Sequence, residues 1–275
     1  MNKALLTVFL HFFVTAALYS QNKGDSTYYN KAFDYYGKGN YVEAINDFSL
    51  SIKSGYKPMK SYMYRGATKM VLKRYREARA DLLIAFRMDA SNDYVNFLLG
   101  RLDYFEHKND SAIFFCRRAI MIDSTDADYF DCIGLSYAAE NNFYEAVKSA
   151  DRAISLSHNN PIYINNRGMI KMSMGSYDDA LHDFNVELEN DPGDETALAN
   201  IAFCHYKLGD NNQALQICQQ VLQKDPDMPY AILVRGQVYY DLKQQANACA
   251  DFTRLSHLSG EYGEKGKEAL RKYCH

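Results

Sequence analysis

"GNYVEAINDF", residues 39–48, is the stretch that decides how this chain is read, because its wording returns. "KRYREARADL" (73–82), "NNFYEAVKSA" (141–150) and "GSYDDALHDF" (175–184) share its pattern of a turn, an aromatic residue and an alanine on a helical run. The alanines fall at Ala44, Ala78, Ala112, Ala146, Ala180, Ala214 and Ala248, each 34 residues after the last. A fixed period of this size is the mark of stacked structural repeats. The frame it sets gives seven units: 25–58, 59–92, 93–126, 127–160, 161–194, 195–228 and 229–262.

Other columns keep the same register. Position 8 of the unit is Ala32, Gly66, Gly100, Gly134, Gly168, Ala202 and Gly236, small every time. Position 4 is large in six units (Tyr28, Tyr62, Phe130, Ile164, Leu198, Ile232) and Asn96 in the third. Position 24 is Phe48, Leu82, Cys116, Ala150, Phe184, Cys218 and Phe252. Positions 4, 8 and 11, then 20, 24 and 27, have the spacing of one helix face. "KGN" (38–40), "MGS" (174–176) and "LGD" (208–210) place between the two runs the glycine that ends a helix, and Pro192 and Pro226 punctuate the second run. Each unit therefore reads as two antiparallel helices that approach closely at positions 8 and 20.

A 34-residue helix-turn-helix with small residues at 8 and 20, large ones at 4 and 24, and proline at 32 resembles the tetratricopeptide repeat. The resemblance implies an all-α, right-handed superhelical solenoid of seven helix-turn-helix repeats plus a C-terminal capping helix (263–275), acting as a non-catalytic scaffold. The third unit departs from the pattern with Asn96 and Asp103, and the seventh replaces the glycine–aromatic turn with "KQQANA" (243–248). The carboxylate clamp of chaperone-binding members needs lysine at position 5 and asparagine at position 9. Position 5 here reads Tyr29, Met63, Phe97, Asp131, Asn165, Ala199 and Leu233, and position 9 never holds asparagine, so that partner class does not carry over.

A net charge of −3 without a basic stripe argues against nucleic acid as a partner. "MNKALLTVFLHFFVTAALYSQ" at the N-terminus has an early lysine, an apolar run and small residues after it. It reads as a signal peptide, residues 1–20, cleaved before Gln21 in preference to after Ala17, with an uncleaved anchor as the other reading; cleavage predicts a secreted or periplasmic protein with no membrane span in the mature chain. No metal-binding or phosphate-cradling motif is present. Cys204 and His205, as helix neighbours, point about 100° apart and cannot chelate one ion together. No catalytic residue, metal or cofactor is expected.

Four further expectations follow. Position 7 is basic where position 23 is aspartate, which predicts the ion pairs Lys31–Asp47, Arg65–Asp81, Arg167–Asp183 and Arg235–Asp251. Cys249 and Cys274 lie level across the last helical turn, which predicts a disulfide in an oxidising compartment, with Cys116, Cys132, Cys204 and Cys218 left as thiols. Positions 2, 5, 9, 12 and 13, unused by the core, would line the concave surface that tetratricopeptide proteins use for ligands. Those columns hold Tyr29, Phe33, Tyr36, Tyr94, Phe97, Tyr104, Phe105, Phe203, Tyr206, Tyr230 and Tyr240. Large aromatics beyond the needs of the core make binding surfaces, so these eleven predict a groove for a protein or peptide partner. Asp128, Asp131 and Asn165 interrupt the lining and predict a mildly acidic stretch between two aromatic patches. Finally, a self-associating structural component (a homo-oligomer) or an assembly or transport factor of the cell envelope are the other readings of the same surface.

Overall fold

The computed structural model describes residues 26–274. The proposed signal peptide and the outermost residues of the first repeat and of the capping segment, Asp25 and His275, lie outside the described residues. The chain within them is all helix: fifteen helices and no strand. The first helix of each repeat is α1 (Ser26–Gly37), α3 (Pro58–Val71), α5 (Asp93–Phe105), α7 (Ala127–Ala139), α9 (Pro161–Met174), α11 (Glu195–Lys207) and α13 (Pro229–Asp241). The second is α2 (Tyr41–Ser54), α4 (Tyr75–Met88), α6 (Asn109–Ile122), α8 (Phe143–Leu156), α10 (Tyr177–Asn190), α12 (Asn211–Lys224) and α14 (Gln245–Ser256); α15 (Glu261–Tyr273) closes the chain. The second helices begin 34 residues apart throughout, the seventh included, so "KQQANA" keeps the register. The closing helix starts at Glu261, two residues before the segment expected from the sequence.

Two features of the sequence make the hairpins. The turn residue at position 15 is left-handed in every repeat: Gly39, Gly175 and Gly209 at φ 76°, 87° and 88°, but also Lys73 (56°), His107 (57°), Asn141 (59°) and Lys243 (62°). Only glycine takes that conformation without a Cβ penalty. Several first-helix starts are satisfied locally: Asn92 and Asp194 accept the backbone N–H groups of Val95 and Ala197, and Pro58, Pro161 and Pro229 occupy first turns where no donor is needed.

The chain forms two compact units, one up to Ile133 and one from Gly134 onward. In the first, each helix from α1 to α6 packs on the next, and α3 also touches α5. In the second, each helix from α8 to α15 packs on the next, and α11 touches α13. α3 and α5, and α11 and α13, first helices of successive repeats, are thus neighbours, which gives a shared face to the columns they carry.

The core columns behave as their sizes dictate. All seven position-20 alanines are wholly buried. A Cβ built on Gly236 would lie 2.6 Å from Cε1 of Phe252, and one on Gly100 would lie 2.6 Å from Sγ of Cys116, so position 8 is small because position 24 sits directly against it. Asn96, the odd residue at position 4, is buried yet fully engaged. Its Nδ2 donates to the carbonyls of Ala90 and Asn92, and its Oδ1 accepts from Nε of Arg118. A buried amide with its partners supplied costs little.

Three of the four expected ion pairs form, each a two-point grip by arginine: Arg65–Asp81, Arg167–Asp183 and Arg235–Asp251. The fourth does not, since Lys31 and Asp47 make no ion pair and Lys31 is exposed. The three pairs that form all use arginine, and lysine lacks the fork that locks such a pair. Arg65 and Arg167 each spend a further N–H on the preceding repeat, at Ser49 and Asp151. The aspartates are also more buried than half-exposed pairs would be: Asp81, Asp183 and Asp251 have side chains 4%, 0% and 7% exposed. In repeats two and five a second cation joins from position 11, Lys69 to Asp81 at 2.7 Å and Lys171 to Asp183 at 2.8 Å. Repeat three reverses the polarity. Its position 11 is the buried Asp103, held by Arg79 of the preceding repeat and by Ser111.

Candidate partner-binding groove

In the first unit, a cavity of about 360 Å³ opens among α1, α3, α4 and α5. Tyr36, Ala67, Met70, Val71, Tyr94, Arg101 and Phe105 in its wall come from positions 2, 9, 12 and 13, the columns expected to face a ligand. Lys73, Tyr75 and Leu98 complete it. Tyr75 stacks on Phe105 with centroids 6.0 Å apart and planes 13° from parallel, and the Arg101 guanidinium lies 5.8 Å from the Phe105 ring centre. Burial pushes the Tyr94 phenol above its ordinary value, with neighbouring Tyr64 adding to the effect, so it is held neutral. The charged residues of the wall are Arg101 and Lys73, with no carboxylate among its lining residues. The first cavity is therefore cationic, and Asp128, Asp131 and Asn165, expected between the aromatic patches, are not among its lining residues. Its chemistry suits a bulky apolar side chain next to a carboxylate.

In the second unit, a cavity of about 290 Å³ is lined by Phe203, Tyr206, Lys207, Gln237, Tyr240, Asp241 and Tyr273. All but Tyr273 again occupy positions 9, 12 and 13. Tyr206 donates its hydroxyl to Oδ2 of Asp241 at 2.8 Å, tying α11 to α13. Burial first, then that hydrogen bond, raises the Tyr206 phenol. Tyr273 arrives from α15, where its ring lies 4.4 Å from that of Tyr240 and its carbonyl accepts from Gln245. Cys249 and Cys274 are joined in a disulfide with Cα atoms 5.8 Å apart, which pins the end of α15 beside Tyr273. Gly263 and Gly266 let α15 lie directly on the backbone of Leu258 and Ser256.

Of the eleven aromatics expected to line a groove, six line these cavities: Tyr36, Tyr94 and Phe105 in the first, Phe203, Tyr206 and Tyr240 in the second. Phe33, Tyr104 and Tyr230 line neither. Tyr29 and Phe97 are corrections, being 8% and 2% exposed. Tyr29 belongs to a ring cluster with Phe33, Phe48, Tyr56 and Tyr64, and burial pushes its phenol up to about 12. Phe97 packs on Tyr94 and Tyr129. Position 5 therefore turns inward at these two repeats, whereas positions 9, 12 and 13 reach the surface. Tyr75, Arg101, Lys73 and Tyr273 were missed; the first and third lie in or after the turn, outside the first-helix columns, and Tyr273 lies beyond the repeats.

Among the described residues no cluster of three or more histidine, cysteine, aspartate or glutamate side chains could hold a metal ion, and no helix is long and apolar enough to cross a membrane.

The tetratricopeptide repeat family model matches residues 171–238. The photosystem I assembly protein Ycf3 of Cyanophora paradoxa is 32% identical over 107 residues, which is 38% of this chain and 62% of that protein. FK506-binding protein 59 of Drosophila melanogaster is 28% identical over 76 residues, 28% of this chain and 17% of that one. The chain thus spans less than two thirds of either curated relative. Among solved structures, a tetratricopeptide repeat protein from Parabacteroides merdae ATCC 43184 superposes with a TM-score of 0.74 at 17% identity, covering 91% of this chain and 98% of its own. PilW, a type IV pilus biogenesis factor, gives 0.66 at 17% identity over 76% of this chain and 98% of its own. PilF of Pseudomonas aeruginosa gives 0.59 at 19% identity, over 76% and 97%. At these identities the likeness is one of fold.

Proposed function

We propose that this chain, a tetratricopeptide-repeat protein, is a non-catalytic scaffold that works outside the cytoplasm and captures a protein segment on the face formed by its first helices. The observation that carries the reading is the cavity of the first unit, about 360 Å³ of aromatic and aliphatic wall holding Arg101 and Lys73. Pockets of this size and lining take a large side chain, with a few polar groups to set its orientation. A segment presenting an apolar anchor beside a carboxylate would place the anchor between Tyr75 and Tyr94 and the acid against Arg101. Two features support the location: the signal-peptide character of residues 1–20, and the Cys249–Cys274 disulfide, a bond that persists in oxidising compartments.

The test is capture of envelope proteins by the mature chain, compared with a Tyr75→Ala, Phe105→Ala double variant and with Arg101→Glu. Both variants should keep the helical circular-dichroism signal of the parent and lose the same captured protein. Capture by both at the parental level would refute the groove, and a collapse of helicity in the double variant would assign those rings to the core.

A further inference from the structure

Cys116, on α6, is wholly buried; Cys132, on α7, is 5% exposed. Neither is in a disulfide, yet their sulfurs are 2.8 Å apart, Cys116 donating its S–H to Cys132. A disulfide requires about 2.0 Å, so a relative shift of under about 1 Å would bring the pair to bonding distance. Space allows little else: Gly100 packs against the Cys116 sulfur so tightly that a Cβ there would clash with it.

We propose that Cys116 and Cys132 are a second disulfide site, closed by a disulfide-bonded thiol oxidant and linking the second helix of repeat three to the first helix of repeat four. Cys132 is the more exposed of the two and attacks first. Its thiolate displaces one sulfur of the oxidant, forming a mixed disulfide and releasing one thiol. The Cys116 thiolate then attacks the Cys132 sulfur, expelling the second thiol. Two protein thiols and one oxidant disulfide become one protein disulfide and two oxidant thiols, so the two electrons and two protons lost by the chain are carried away by the oxidant. The hydrogen bond to Cys132, and then burial, hold the Cys116 thiol well above its ordinary value. In the closed fold the thiolate is therefore scarce, and bond formation belongs to folding or to local opening. Cys204 and Cys218 are also buried, and burial pushes each thiol up to about 12. They provide the internal comparison.

The experiment refolds the fully reduced, denatured mature chain in a buffer of reduced and oxidised glutathione, quenches with acid, alkylates and maps the peptides. Refolding exposes every cysteine to the oxidant, so access does not limit the result. The expected product has two alkylated residues, Cys204 and Cys218, and two disulfides, Cys249–Cys274 and Cys116–Cys132. Cys116→Ser and Cys132→Ser variants should each show three alkylated residues and retain Cys249–Cys274. Four alkylated thiols in a product that has re-formed Cys249–Cys274 would overturn the proposal, as would a second bond mapping to Cys204–Cys218.

Discussion

Arg167 holds Asp183 at two points: Nε donates to Oδ2 at 2.9 Å and Nη2 to Oδ1 at 2.7 Å, with the aspartate side chain wholly buried. The arginine's remaining nitrogen, Nη1, reaches back to Asp151 of the preceding repeat at 2.7 Å. One side chain thus joins the two helices of its own hairpin and the hairpin before it; the two-point grip recurs at Arg65–Asp81 and Arg235–Asp251, and the reach back to the preceding repeat recurs at Arg65 with Ser49.

Removing one member of such a buried pair leaves the other charge desolvated, at a cost of about 3–5 kcal/mol. Arg235→Leu should approach that range, because among the described residues Arg235 alone forms an ion pair with Asp251. Arg167→Leu should cost less, because Lys171 still reaches Asp183 at 2.8 Å. Urea unfolding of the two variants checks the order. Equal losses would mean the second cation contributes nothing.

The left-handed turn residues offer the opposite change. Lys73 and Lys243 hold φ 56° and 62° with a side chain that disfavours it. A left-handed L-residue costs roughly 1–2 kcal/mol, and glycine returns part of this through its own flexibility when unfolded. Lys243→Gly should raise stability by about 0.5–1 kcal/mol, read as a higher urea midpoint at unchanged slope. The same substitution at Lys53, inside α2, should lower it by about 1 kcal/mol.

The disulfide should matter locally. Its 25-residue span corresponds to about 3.5 kcal/mol on the chain-entropy model. In a Cys249→Ser, Cys274→Ser variant, α15 should lose hydrogen-exchange protection first, and with it Tyr273, which walls the second cavity. Uniform loss of protection from α8 to α15 would show instead that the second unit unfolds as one.

Glu106 gives a pH signature. Its carboxyl is held below its ordinary value, first by the hydrogen bond from Lys108 and then by Arg79. A depressed folded value means a contribution present above the unfolded value and lost as pH falls through the folded one. Acid unfolding should therefore show Glu106→Gln less stable than the parent at pH 7, with a shallower loss below about pH 4.5, so that the two converge in acid.

The repeat, its register and the helix pairs were legible in the sequence because a 34-residue period forces small residues to recur at positions 8 and 20, where two helices touch. The three arginine pairs were legible for the same reason, since two columns change together. Lys31 was misread because the column was matched by charge alone, whereas the three pairs that form depend on arginine's two-point fork. Tyr29 and Phe97 were misread because position 5 borders the groove and the core, and large neighbouring rings (Tyr56 and Tyr64 for the one, Tyr129 for the other) drew them inward. The Cys116–Cys132 contact joins position 24 of one repeat to position 6 of the next, a pairing that no single-repeat column displays.

The groove is tested most directly by placing a photo-crosslinking amino acid in the full-length chain. Phe105, in the first cavity and 40% exposed, is the probe site; Met121 on α6, 86% exposed and outside both cavities, is the control. On irradiation the account predicts a discrete adduct with a second protein from position 105 and none from position 121. Adducts from position 121 alone, or none from position 105, would contradict it.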